Sequence, residues 1–171
     1  VDAHTTISET CQPDSFSVVY FKDARFENQL LRDASIDVNS DGKVQYSEAE
    51  AVTELNLSGY IKNFTGIEAF SNLETLIAKN YSITYIDLSN NVKLKRLELP
   101  GFNTSLRSPL SAIDLTKNTQ LERLYITHTK IDDIDLSKQT QLKDLELSYN
   151  PYLDSLNLTN SLALAQLFLF D

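Results

Sequence analysis

Asp37, Asn39, Asp41, Lys43, Gln45 and Glu48 occupy positions one, three, five, seven, nine and twelve of a twelve-residue stretch, with Gly42 at position six. Those residue types at that spacing suit calcium, a hard cation that takes six to eight oxygens. Asp37, Asn39 and Asp41 would offer side-chain oxygens and Lys43 its backbone carbonyl. Gln45 would offer a side chain or a bridging water, and Glu48 two oxygens at once. Gly42 permits the sharp turn, and Val44 packs the loop centre. A single site with three carboxylates implies an affinity of roughly 10⁻⁴–10⁻³ M and a structural role. The plainer alternative is a loop that only turns the chain, since the flanking helices are short and no second such loop is present.

Other chemistry is sparse. Of the two histidines, His4 lies in a polar opening stretch and His128 has no Cys or His at ligand spacing. The four glycines (42, 59, 66 and 101) form neither a phosphate loop nor a nucleophile elbow. Glu98 and Glu146 could pair as acid and base, but nothing apolar surrounds them to raise a pKa. No enzyme is expected. A net charge of −9 disfavours nucleic acid and anionic membranes as partners. No run of about 18 apolar residues is present to insert into a bilayer. The absence of Met and the opening Val1 suggest removal of an upstream piece, by secretion or at a cloning boundary. Cys11 cannot form an internal disulfide, and Ser8-Glu9-Thr10 before it does not give the small apolar run of a lipid-attachment site.

The elements that would carry these residues follow from repetition. An apolar phrase of the form L-x-x-L-x-L begins at Val52, Leu73, Leu94, Leu121, Leu142 and Leu164, at intervals of 21, 21, 27, 21 and 22 residues. A period near twenty with this spacing predicts an α/β leucine-rich-repeat solenoid: short parallel strands on a concave sheet, an irregular convex side and a small N-terminal helical cap. A second apolar pair recurs at Ile86/Leu88, Ile113/Leu115, Ile134/Leu136 and Leu156/Leu158. The long interval then places six extra residues between Phe102 and Ile113. Residues 1–14 read as a flexible arm and 15–51 as the cap, with a short strand around Phe16–Tyr20 and a helix over roughly 24–32. Residues 52–171 hold about five and a half repeats. Phe16, Phe21, Phe26 and Leu30 are available to cover the first coil; no cap is visible after the last.

On the predicted sheet the residues between the leucines face outward in columns. One is Glu54, Thr75, Arg96, Arg123, Asp144 and Gln166; the next is Asn56, Ile77, Glu98, Tyr125, Glu146 and Phe168. A third runs Ser58, Lys79, Pro100, Thr127, Ser148 and Phe170. Arg96 and Arg123 can pair with Glu98, Asp144 and Glu146. One reading is a solvated ladder of ion pairs worth little. The other is a binding face for a protein or peptide, anchored by Arg96, Arg123, Tyr125 and Phe168. The 100–112 loop adds Phe102 and Arg107 as candidate contacts. Phe168 and Phe170 on the terminal strand offer a route to a homodimer through an apolar edge.

These features resemble the leucine-rich-repeat proteins of bacterial surfaces, especially the Bacteroides-type group and more distantly the internalins. The resemblance spans about residues 20–171. It rests on the Asp37–Glu48 loop, which is EF-hand-like, the segment from Gly66 to Leu73, and the Ile-Asp-Leu-Ser turns at 86–89 and 134–137. It implies a secreted, periplasmic or surface-anchored protein that binds other proteins, including host molecules, without catalysis. One departure concerns the ninth repeat position, where the family often has Asn. Here it holds Tyr60, Tyr81, Phe102, Thr129 and Asn150, which suggests an aromatic stack in place of an amide ladder.

Overall fold

The structure, a computed structural model, describes residues 17–101 and 108–170. Five-residue strands β1 (Glu54–Ser58), β2 (Thr75–Lys79), β3 (Arg96–Pro100) and β4 (Arg123–Thr127) are followed by three-residue strands β5 (Asp133–Asp135), β6 (Asp144–Glu146), β7 (Ser155–Asn157) and β8 (Gln166–Phe168). A parallel sheet of order β1-β2-β3-β4-β6-β8 forms one face, and β5 and β7 pair in parallel on the other. The chain is thus a solenoid of about five turns. Strands adjacent in space are one repeat apart in sequence, as a stacked coil requires.

Alternation within each strand builds the core. Leu55 and Leu57, Leu76 and Ala78, Leu97 and Leu99, Leu124 and Ile126, and Leu145 and Leu147 all point inward and are buried. Ile86, Leu88, Leu115, Ile134 and Leu136 close the core from the convex side. A coil buries four to six such side chains at about 1.5–3 kcal/mol each, but only while a neighbouring coil covers them.

The expected cap helix is α1 (Ala24–Leu30), started by Asp23, whose Oδ1 accepts from the Arg25 N–H at 2.8 Å. The other Asp23 oxygen accepts from the Lys62 N–H at 2.6 Å, tying the helix to the first coil. A second helix, α2 (Tyr46–Ala51), starts inside the twelve-residue loop. Phe21, Phe26, Leu30, Ile36, Val44 and Ala49 join the core beneath. Gln29 blunts the open edge of β1: its amide donates to the Ser58 carbonyl at 2.5 Å and accepts from the Ser58 N–H at 2.8 Å.

Two expectations need correction. In place of a strand over 16–20 there is a single antiparallel bridge, Val18 to Gln45; the twelve-residue loop offers a partner only for the segment Ser17–Val19. The ninth-position aromatics also do not form one stack. Tyr81 is fully buried and donates its hydroxyl to the Leu99 carbonyl at 3.0 Å, whereas Tyr60 turns outward, 59% exposed, at a positive φ. Phe102 lies outside the described residues, as do Phe16 and the residue 1–14 arm.

The amides that order the turns stand elsewhere, three residues before the repeat leucine. The Asn91 Nδ2 donates to the carbonyls of Ile67 and Phe70 at 3.0 and 2.9 Å. Asn118 Nδ2 donates to Leu88 and Asn91 at 3.0 and 2.9 Å, and Gln139 Nε2 to Leu115 at 2.7 Å. Each reaches back one coil to satisfy carbonyls that would otherwise be buried unpaired. At ninth position only Asn150 plays such a part, donating to Ile126 and Leu147 and accepting from Thr129.

Candidate binding face and calcium loop

The strand register places the concave columns as the sequence predicts. Arg96, Arg123, Asp144 and Gln166 are aligned partners, and so are Glu98, Tyr125, Glu146 and Phe168. Arg96 closes an ion pair on its own strand, Nη2 to Glu98 Oε1 at 2.6 Å, and its Nε donates to the same oxygen at 2.7 Å. Arg123 reaches the next strand, with Nη2 and Nε donating to Asp144 Oδ2 at 3.0 and 3.3 Å. These pairs are part exposed and contribute little to stability. They do, however, fix both guanidinium groups in place across the sheet.

Arg123, Tyr125, Glu146, Gln166 and Phe168 line a shallow hollow of about 270 Å³ on this face. Tyr125 is half-buried there. Burial, then the Glu146 and Glu98 carboxylates, push its phenol above its ordinary value, so it stays a neutral donor. Phe168 is 41% exposed beside it. Of the third column, Thr127 and Ser148 prove buried and so lie outside the accessible face.

The insertion is anchored firmly at its base. Gly101 N–H donates to the Thr127 carbonyl at 2.8 Å, and Ser108 N–H to the His128 carbonyl at 2.9 Å. A Cβ at Gly101 would sit 2.4 Å from that His128 oxygen, so only glycine fits where the chain leaves the rung. The candidate contacts Phe102 and Arg107 lie outside the described residues. At the far edge, β8 leaves Leu167 and Leu169 44% and 50% exposed, although their equivalents in the preceding coil are buried.

The twelve-residue loop is curled by its own side chains. Asp41 N–H donates to Asp37 Oδ1 at 3.1 Å and to Asn39 Oδ1 at 2.8 Å. Gly42 N–H donates to Asp37 Oδ2 at 3.1 Å, and Lys43 N–H to Asp41 Oδ1 at 2.9 Å. Gly42 takes a φ of 77°, as the turn requires. Glu48 turns back from α2: Oε1 accepts from Val38 N–H at 3.0 Å and Oε2 from Gln45 N–H at 3.0 Å. Across the loop, Gln45 donates to Asp41 Oδ2 at 2.9 Å and accepts from Asn39 at 3.0 Å. The loop also pairs with the preceding segment, Val19 N–H donating to Val44 O at 2.8 Å and Tyr46 N–H to Ser17 O at 3.0 Å.

Among the described residues no three His, Cys, Asp or Glu side chains gather closely enough to hold a metal by themselves. The donor set is mixed, with amide and backbone oxygens completing it. Its residue types fit calcium, provided the Asn39–Gln45–Asp41 bridge opens to free oxygens toward an ion.

Sequence reasoning missed the convex amide column, although its signal was present: Asn91, Asn118 and Gln139 each precede a repeat leucine by three residues.

No protein-family model matches the chain, and no curated protein sequence matches it. Solved structures do. An internalin, InlF of Listeria monocytogenes, is 26% identical at a TM-score of 0.63, over 87% of this chain and 43% of its own. The functional domain of InlJ from the same organism, which includes a cysteine ladder, is 23% identical at a TM-score of 0.55, over 89% of this chain and 38% of its own. This chain therefore spans about two fifths of either internalin. With one cysteine it has no such ladder, and buried amides link its coils instead. Of the two groups named from the sequence, it is the internalins that appear as structural neighbours. No helix among the described residues is long and apolar enough to cross a membrane. The chain has an internalin-like leucine-rich-repeat fold.

Proposed function

We propose that this chain is a secreted or cell-surface bacterial binding module whose concave sheet, with the 100–112 loop at its rim, engages a protein or peptide. The observation that supports this most is the row Glu98, Tyr125, Glu146, Phe168, held in register on a rigid sheet above a shallow hollow. Aromatic and Arg side chains on a preorganised scaffold are the usual anchors of protein interfaces. The fold shared with internalins agrees with this reading. Capture from host-cell and bacterial envelope fractions should fall when Arg123 and Tyr125 are both changed to Ala and persist when the convex Tyr152 is changed. Undiminished capture by the double variant moves the site elsewhere.

Calcium is the second part of the proposal. Asp37, Asn39, Asp41, Gln45 and Glu48 would hold the ion with their side chains and Lys43 with its carbonyl. Bound calcium supplies a structural clip between the cap and the first coil. The reading is supported by the order of ligand types and by backbone N–H groups already aligning the Asp37 and Asp41 carboxylates. Excess calcium should raise Tm by several degrees over excess chelator, and magnesium should raise it less; an unchanged Tm removes the site. A further reading, self-association of two copies through the open face of β8, is favoured by the exposure of Leu167 and Leu169. A monomer in sedimentation equilibrium at high concentration rules it out.

A further inference from the structure

The concave hollow holds one acid whose charge is left open. Four charged side chains around it are spoken for: Arg96 is bound to Glu98 and Arg123 to Asp144. Among the described residues Glu146 has no ion-pair partner. It stands in register between Tyr125 on β4 and Phe168 on β8. Those two residues are two strands apart, about 9–10 Å between backbones at the usual strand spacing. Half-buried Glu146 thus lies between two aromatic residues on neighbouring strands, and all three line the same hollow.

This geometry is selective about what enters. A second carboxylate would meet Glu146 and the paired Glu98 and Asp144 at close range. A purely apolar side chain would strip water from Glu146 and offer it nothing in return. A cationic side chain does both jobs: its N–H groups meet the carboxylate, and its charge lies within the roughly 6 Å of a ring centroid at which cation–π attraction operates. A planar guanidinium suits the hollow better than an ammonium, since it can stack on a ring and bond the acid edge-on. Burial first, and then the Glu146 and Glu98 carboxylates, push the Tyr125 phenol up, in keeping with an acidic surrounding. At longer range a net charge of −9 attracts basic segments.

We propose that the hollow between Tyr125, Glu146 and Phe168 is the specificity pocket of the concave face and takes an arginine side chain from a basic segment of the partner protein. This rests on the reading of the concave sheet as the binding face. The Arg96–Glu98 and Arg123–Asp144 pairs serve it by neutralising the neighbouring charges, so that Glu146 is the acid an incoming cation meets.

The test is an amide-shift titration of the isotope-labelled chain with a decapeptide of alternating Arg and Ser, and with its Glu/Ser counterpart. It is run on the wild type and on Glu146→Gln, Tyr125→Leu and Glu54→Gln. Glu54→Gln removes one charge from the same face in the first coil and so controls for bulk attraction. Both Glu→Gln changes lie at exposed or half-exposed positions, and unchanged dispersion of the other amides confirms that the fold persists. The Arg peptide should shift the amides of Tyr125, Glu146 and Phe168 above all others. Its apparent Kd should rise about tenfold in Glu146→Gln, rise in Tyr125→Leu, and change less than twofold in Glu54→Gln. Equal weakening in Glu146→Gln and Glu54→Gln overturns the pocket, because it marks diffuse attraction to an acidic protein. Shifts of the same concave amides by the Glu peptide overturn the cation preference while leaving the concave face a binding face. Shifts confined to the convex side or the cap overturn both.

Discussion

Asn118 shows how single side chains set the shape of the coil. Its amide spans two buried carbonyls, those of Leu88 and Asn91, while its own oxygen has no hydrogen-bond partner among the protein atoms. The same holds for Asn91 and Gln139. The column is thus one of donors, built for the turn carbonyls of the preceding coil. Asn118→Ala should cost about 2–4 kcal/mol in urea unfolding, because two buried acceptors lose their partner. Asn118→Leu, which keeps the volume, should cost a similar amount, separating the hydrogen bonds from packing. A loss below about 0.5 kcal/mol would mean that water replaces the amide freely. None of this follows from hydropathy: Asn118 reads as a polar loop residue until the coil closes over it.

At the scale of the element, three convex turns are held by an acid. Hydrogen bonds from the backbone N–H and hydroxyl of Ser89 hold the Asp87 carboxyl below its ordinary 3.8. Thr116 does the same for Asp114, and Ser137 for Asp135. In the last such turn Asn157 stands in the same place, accepting from the Thr159 N–H at 3.1 Å. With folded values below unfolded ones, the unfolded chain binds more protons through this window. These turns therefore contribute stability above about pH 4, and lose it as pH falls through their folded values. The triple change of Asp87, Asp114 and Asp135 to Asn should keep the turns, as Asn157 does, and flatten the loss of Tm on acidification from neutral pH to about pH 2.5. An acid profile identical to wild type would place the sensitivity in other carboxylates.

The element scale also shows what could be read in advance. The leucine period gave the concave strands, their parallel order and their register to the residue, because a parallel strand buried on one face repeats its apolar positions at a fixed offset; the convex pair β5 and β7 stands where an irregular side was expected. The helix after Asp23 was legible from the helical spacing of Phe26, Leu30 and Leu31. The pairing of Ser17–Val19 with the twelve-residue loop was not, since one bridge leaves no periodic trace. Nor was the fate of Tyr60 and Tyr81. Sequence gives the same residue at the same repeat position, yet the first coil is covered by the cap and the second by another coil. Of the candidate site, the first two outward columns were legible from strand alternation, whereas the burial of Thr127 and Ser148 in the third was not. Which acid each arginine would choose was not, because Arg96 could reach a neighbour on its own strand as readily as one across the sheet.

For the whole molecule, stacked coils give a sheet whose first and last described strands differ in their surroundings. At the first, Gln29 covers the strand edge and the cap fills the core. At β8 the apolar residues Leu167 and Leu169 meet solvent. Between these lie the chain's ordered ion pairs, its half-buried tyrosine and the base of its one long insertion. The ion-paired and aromatic side chains thus lie on the concave strands β3 to β8, while Asp87, Asp114 and Asp135 on the convex turns are occupied in holding the backbone.

The most direct check is site-specific photo-crosslinking, with a benzophenone side chain placed at Tyr125 or Phe168 on the concave face and at Tyr152 or Tyr85 on the convex face. The chain is then exposed to the fractions from which wild type captures its partner. The account predicts one discrete adduct from positions 125 and 168 and none from 152 and 85. Adducts from the convex positions alone would contradict it.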